Sequence, residues 1–190
     1  MQQTAHQKET VLARLAAHSP TDEKEQHDVQ FIRTFVTENA LFFGKENTKG
    51  HITGSAFVVD QDKRVLLTFH RKLQRWLQLG GHSEIDETDP FETALREARE
   101  ESGLPDLQVD EQFGQRPFDI DVHSIPARRD EPQHDHLDFR YVLRTNSPER
   151  IVCSPESNSL AWVPLSELDA YDFDPALRRA VDKLRSVTCA

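Results

Sequence analysis

Residues Gly80–Leu104 read GGHSEIDETDPFETALREAREESGL, and this stretch decides the fold. Its second half is a well-specified helix. Asp89 is placed to cap it, Pro90 suits the first helical position, and Glu92 falls where a capping box would close. Gly103 can take the left-handed conformation that ends a helix, and Pro105 blocks continuation. At about 100° per residue, Glu97, Glu100 and Glu101 fall within an arc of about 100°. Phe91, Ala94, Leu95 and Ala98 occupy the adjoining side, and Arg96 flanks the acidic arc. The pattern predicts a helix that buries one side and aims three carboxylates from the next.

Crowded carboxylates have a bland reading as an exposed helix laced with ion pairs. Glu92–Arg96 and Arg96–Glu100 are favourable pairs of ~0.2–0.5 kcal/mol each, and Glu97–Glu101 costs a similar amount. The Gly80-Gly81 turn upstream favours a second reading. A strand ending in two glycines leaves backbone oxygen and a close-approach surface beside the helix. Hard divalent cations take carboxylate, carbonyl and water oxygens, and they neutralise phosphate oxygens and activate water.

Outward from this stretch the chain divides at about residue 45. Residues 1–45 read as a helical extension packed on the core. It has an apolar stripe at Leu12, Leu15 and Ala16, a helix start at Thr21, and Val29, Ile32, Phe35 and Val36 at helical spacing. Residues 46–190 read as the main domain. Ile52–Val59 and Val65–Phe69 flank the turn Asp60–Lys63, as in a hairpin. Trp76–Leu79 reads as a short strand. Further strands are expected near 118–122, 137–143 and 160–163, and a closing amphipathic helix over 172–187 presents Leu177, Ala180, Val181 and Leu184. Strands and helices mix without a regular βαβ repeat, so the class is α+β, with layers of helix about a mixed sheet.

Bulk properties narrow the function. The chain has 190 residues, 36% hydrophobic, with a formal net charge of −10. That charge argues against broad nucleic-acid binding, which needs basic surface. A small anionic substrate stays compatible through a divalent metal. No apolar run approaches a membrane span, and the N-terminus lacks a secretion signal. The two cysteines, Cys153 and Cys189, do not form a metal or disulfide motif, which fits a reducing cytoplasm.

The stretch resembles the Nudix hydrolases, whose shared box is Gly-x5-Glu-x7-Arg-Glu-U-x-Glu-Glu-x-Gly-U, with U aliphatic. Gly81 and Glu87 match the first half, and Arg96–Leu104 matches all of the second. Eight residues rather than seven separate Glu87 from Arg96, one more than in the box. The addition lies in the loop ahead of the helix, where insertion is tolerated. It leaves Glu84, Asp86 and Asp89 as rivals for the role of Glu87. The resemblance extends over roughly residues 50–187, with Trp162–Leu165 after the box, and Gly80-Gly81-His82 is similar to a bacterial subgroup.

The resemblance implies a Nudix-type α/β/α sandwich and hydrolysis of a pyrophosphate linkage by water attack on phosphorus. The substrate would be a nucleoside diphosphate joined to another group, or a similar small organic pyrophosphate. Glu97, Glu100, Glu101 and the Gly81 carbonyl would hold Mg²⁺ or Mn²⁺, and Arg96 would orient the glutamates. The general base varies in the family. Glu97 and Glu101 are the box candidates, and Glu156 is a later-loop acid. Nudix proteins are often dimers, so a homodimer is the protein partner to expect.

Six of the nine histidines fall between residues 51 and 136. Asp119, Asp121 and His123 share one strand face, as do His134, His136, Asp138 and Arg140. If both faces open on one cleft, His82, His123, His134, His136 and Arg140 are candidates for phosphate, water or metal. His70, Arg71, Lys72 and Arg75, before the box, are candidates for substrate phosphate or for a solvated turn, and Trp76 for stacking on a base or for the core. Zinc has weaker support, because no cysteine is near and His-x-His alone is common. Two rival functions are a Nudix-fold binding or regulatory module without turnover, and an isomerase of the isopentenyl-diphosphate type. Intact box carboxylates argue against the first, and the late positions of both cysteines against the second.

Overall fold

A computed structural model of the chain describes residues 2–128, 131–154 and 157–188. Helices α1 (Gln2–Ala17) and α2 (Glu23–Glu38) lead into strands β1 (Gly50–Val59), β2 (Arg64–His70), β3 (Arg75–Leu77) and β4 (Leu79–His82). Helix α3 (Pro90–Ser102) follows. Then come β5 (Gln108–Val109), β6 (Asp119–Ile125), β7 (His134–Arg144), β8 (Ser157–Pro164) and helix α4 (Pro175–Thr188).

Among the described residues the strands form one mixed sheet ordered β3-β2-β1-β7-β5, with β4 also on β1, β6 on β7 and β8 on β2. The β1–β7 pair is parallel and the other pairs are antiparallel. Alternation along β1 and β7 gives the sheet two different faces. Ile52, Ala56 and Val58 share one buried cluster with Leu137, Phe139 and Tyr141, together with Ala94 and Ala98 of α3. The same cluster holds Val11 and Leu15 of α1 and Ile32, Phe35 and Val36 of α2. Phe57, Val59 and Val142 turn the other way, onto Leu177, Ala180, Val181 and Leu184 of α4. Helices therefore cover both faces, as the fold-class reading expected.

Three local expectations need correction. Asp22, not Thr21, caps α2, with its carboxylate accepting from Glu25 N at 2.7 Å. Thr21 instead donates its N–H and hydroxyl to the Glu25 carboxylate. In α1, Val11 is buried and Ala16 is exposed. The strand expected at Trp76–Leu79 is two strands, because the chain leaves β2 at Leu77 and joins β1 from Leu79. Trp76 packs edge-on to Phe69 and Tyr171, with ring centroids at 5.3 and 5.8 Å.

Candidate active site

Helix α3 is built as its ends predict, with one difference. Asp89 accepts from Phe91 N at 3.0 Å, and Gly103, at φ 67°, donates back to Arg99 O at 2.8 Å. Glu92 does not close a capping box; Arg14 of α1 clamps the Asp89 carboxylate, at 3.0 and 2.5 Å. A long guanidinium from a distant helix thus anchors the cap. Asp89 is committed there and is not a stand-in for Glu87.

Glu87 contacts Arg96 despite the additional residue. Arg96 Nε donates to Glu87 Oε1 at 2.8 Å, and its Nη1 to Glu97 Oε1 at 2.8 Å and Glu100 Oε2 at 3.2 Å. Its Nη2 donates to the His82 carbonyl at 2.9 Å. Glu87 Oε2 also accepts from Thr93 Oγ1 and Glu84 N, at 2.7 and 2.9 Å. Burial works against the Glu87 charge, but these bonds outweigh it and hold the carboxyl below its usual range. Burial likewise disfavours the Arg96 charge, yet Glu87 and Glu97 hold the guanidinium firmly protonated. The fork fixes helix, loop and β4 in one frame.

The glutamates differ in exposure. Glu101 is buried at 7% and accepts from Gly80 N at 2.9 Å. Glu100 is 60% exposed and Glu97 17%. Gly81 faces Glu97 so closely that a Cβ there would lie 2.5 Å from Glu97 Cδ. All three carboxylates line a groove of about 830 Å³ with Gly80, Gly81 and His82. Lys45, Lys72 and His70 line the same groove. An oxygen-rich pocket with cations at hand suits a divalent ion and a phosphate chain. Glu84 and Asp86 are at the groove as well. Lys45 belongs to no motif, and only tertiary structure brings it there, beside His70 and Lys72 of the basic run. Arg71 is exposed and is not among the groove residues. Glu156 lies outside the described residues.

The strand registers join the two polar faces into one. Asp119, Asp121 and His123 stand opposite Arg140, Asp138 and His136. Arg140 is buried at 3%, and donates to Asp138 at 2.9 Å, Asp119 at 3.0 Å and Asp121 at 3.3 Å. Its Nη1 also donates to Ala176 O at 3.0 Å. Burial opposes its charge, but the three aspartates keep it protonated. This placement makes Arg140 a tie between β6, β7 and α4, and differs from the phosphate contact expected of it. Asp138 additionally accepts from Thr53 and Ser55, each at 3.1 Å.

Beyond this network the same face ends in histidines. His82, His134 and His136 surround His51, each ring centroid 5.1 Å from that of His51. His123 lies 5.3 Å from His136 and bonds Asp121 at 2.9 Å. Burial, reinforced by neighbouring positive charge, lowers His51 to about 4, His82 to about 3 and His136 to about 2. A second cleft of about 200 Å³ is lined by His82, His123, His136, Gly81 and Glu101, so histidines and box residues share walls. His134 borders a smaller cavity with His51 and Lys45.

Comparison with known proteins places this geometry. The chain matches the NUDIX domain family over residues 49–184. It is 30% identical over 131 residues to a probable DHNTP pyrophosphohydrolase of Lactococcus lactis subsp. cremoris, covering 68% of this chain and 75% of that protein. A hydrolase of the NUDIX family from Clostridium perfringens is similar in structure, with TM-score 0.53 and 30% identity, over 72% of this chain and 97% of that one. The E. coli dihydroneopterin triphosphate pyrophosphohydrolase shares the fold at TM-score 0.53 and 20% identity, over 70% and 92% of the two chains. With a domain match across most of its length, laid over the Gly81–Leu104 frame, this chain belongs to the Nudix family of hydrolases.

Proposed function

We propose that the chain hydrolyses a pyrophosphate linkage in a small organic polyphosphate, with Mg²⁺ or Mn²⁺, in the groove lined by Glu97, Glu100 and Glu101. The observation that carries this reading is the contact of Gly81 on Glu97 together with the Arg96 clamp. A glycine held against a carboxylate whose neighbours are also carboxylates is the donor set a hard divalent ion takes. Glu97, Glu100, Glu101 and the Gly81 carbonyl would hold it. When bound, the ion supplies charge neutralisation at phosphate oxygens and a more acidic water.

The chain's own residues do the rest. Lys45 and Lys72 meet the negative charge of the phosphates, as solvated point charges suited to a mobile chain of anions. Arg96 fixes the direction of Glu97 and Glu100. Glu97 or Glu101 accepts the proton of the attacking water as its oxygen bonds to phosphorus. The anhydride P–O bond then breaks, and the leaving phosphate takes its electron pair. Dihydroneopterin triphosphate is the first substrate to test, given the name of the Lactococcus relative, followed by nucleoside diphosphate derivatives.

The test is phosphate or pyrophosphate release from that panel with Mg²⁺ or Mn²⁺. Glu97→Gln and Glu101→Gln are each expected to lose at least ~100-fold in turnover, more than outer partners of a metal site usually cost. Full activity in both variants would rule the assignment out.

A further inference from the structure

His51, His82 and His136 come from three neighbouring strands. His51 stands opposite His136 in the β1–β7 register, and His82 stands opposite Thr53, two residues further along β1. Side chains two apart on a strand share a face, so all three rings meet on one side of the sheet. One ring nitrogen from each lies within 4.8 Å of the other two. The Nε2 atoms of His82 and His136 are 3.2 Å apart. Two nitrogens bound tetrahedrally to one zinc at 2.0–2.1 Å would stand roughly 3.3–3.4 Å apart.

His51 supplies the second observation. It is 3% exposed, and neither of its ring nitrogens has a hydrogen-bond partner among the described residues. The Asn47 backbone is near enough to favour the protonated ring, yet it does not complete a hydrogen bond. Buried polar atoms are nearly always satisfied, and leaving one unmatched is costly. One of the His51 nitrogens lies within 4.8 Å of a ring nitrogen of His82 and of His136. Imidazole is the ligand type of zinc, copper, nickel and iron, whereas Mg²⁺ and Mn²⁺ prefer carboxylate and carbonyl. The two ligand sets are thus chemically different although they adjoin.

We propose that His51, His82 and His136 form a site for a zinc-class transition-metal ion, separate from the carboxylate site. Three protein ligands leave a coordination position for water or an anion, the composition of catalytic rather than structural zinc sites. His82 and His136 also line the cleft that Gly81 and Glu101 share. A phosphate oxygen or a water in that cleft is the ligand expected at the free position. His123 and His134, held by Asp121 and by the Pro132 carbonyl, each at 2.9 Å, flank the site and orient its rings.

The test is a cobalt titration of tag-free, chelator-stripped full-length protein, which does not depend on hydrolytic activity. Co²⁺ should bind at one equivalent with visible d–d absorption, displaced by Zn²⁺ and not by excess Mg²⁺. His51→Gln and His136→Gln should each abolish that absorption and weaken Co²⁺ binding by at least ~100-fold, with circular dichroism confirming that they fold. Glu97→Gln combined with Glu101→Gln should leave the absorption in place. Absence of stoichiometric absorption in the wild-type protein would overturn the proposal whatever the variants do. So would absorption that survives in both folded histidine variants, or that disappears only in the glutamate variant.

Discussion

Glu97 and Gly81 show how much one contact can decide. The three atoms nearest to a Cβ at Gly81 would all belong to the carboxyl group of Glu97, at 2.5–2.6 Å. That end belongs to a flexible side chain, so the fold can accommodate the methyl by swinging the carboxylate away. Gly81→Ala is therefore expected to keep its thermal midpoint close to wild type while losing at least ~10-fold in turnover and in Mn²⁺ affinity. Paired melting and activity measurements check this; an active variant would show that the contact is not part of the site. Arg96 tests orientation rather than contact. Arg96→Lys keeps the charge but cannot reach Glu87, Glu97 and the His82 carbonyl together. A ~10–100-fold loss of turnover in a folded protein is expected, measured by steady-state kinetics beside circular dichroism.

At the scale of elements, α3 is positioned by backbone approach at one end and by an ion pair at the other. Gly54 of β1 has no room for a side chain: a Cβ would sit 2.6 Å from both Ala94 N and Pro90 O. Backbone atoms cannot yield as Glu97 can. Gly54→Ala is expected to cost about 1–3 kcal/mol or more by overpacking, visible as a lower denaturation midpoint. Asp89→Ala removes the cap on Phe91 N and releases Arg14. Loss of such a cap costs about 0.5–2 kcal/mol, and urea unfolding at fixed pH measures it. Both substitutions act through the placement of α3, so loss of activity should accompany loss of stability. That sets them apart from Gly81→Ala.

For the whole molecule, the helical extension is tied to the domain by buried charge as well as by apolar packing. Glu25 of α2 is fully buried and meets His18 at 2.8 Å and Lys183 of α4 at 3.0 Å. It also accepts from Ile120 N of β6 at 3.1 Å. Burial alone would raise its carboxyl, but bonds from His18 and Thr21 and the charge of Lys183 outweigh it and hold it well below 4.5. A carboxyl depressed on folding contributes stability that is present above its unfolded value and lost as pH falls through the folded one. Glu25→Gln is thus expected to destabilise by about 3 kcal/mol near neutrality, as when one partner of a buried pair is removed. The difference from wild type should shrink as pH falls below about 4.5. A difference that does not change with pH would show that the role of Glu25 is not ionic.

What could be read along the chain is what local periodicity and end chemistry encode. The acidic arc of α3, its Gly103 stop, the apolar face of α4 and the β1–β2 hairpin follow from spacing alone. So do the shared faces Asp119/Asp121/His123 and His134/His136/Asp138/Arg140, because side chains alternate on a strand. Tertiary structure decided what depends on register between distant strands. Parallel pairing of β1 with β7 set His51 beside His136, and β4 crossing to β1 brought His82 to them. Antiparallel pairing of β6 with β7 set Arg140 among three aspartates, and the fold brought Lys45 to the groove. Glu87 illustrates the boundary between the two. Counting residues left its role open, since a loop absorbs an extra residue at little cost, and only the folded loop returned its carboxylate to Arg96. Spacing fixes what a helix or strand presents on each side, whereas partners across the sheet are chosen by the burial and hydrogen bonding of the whole chain.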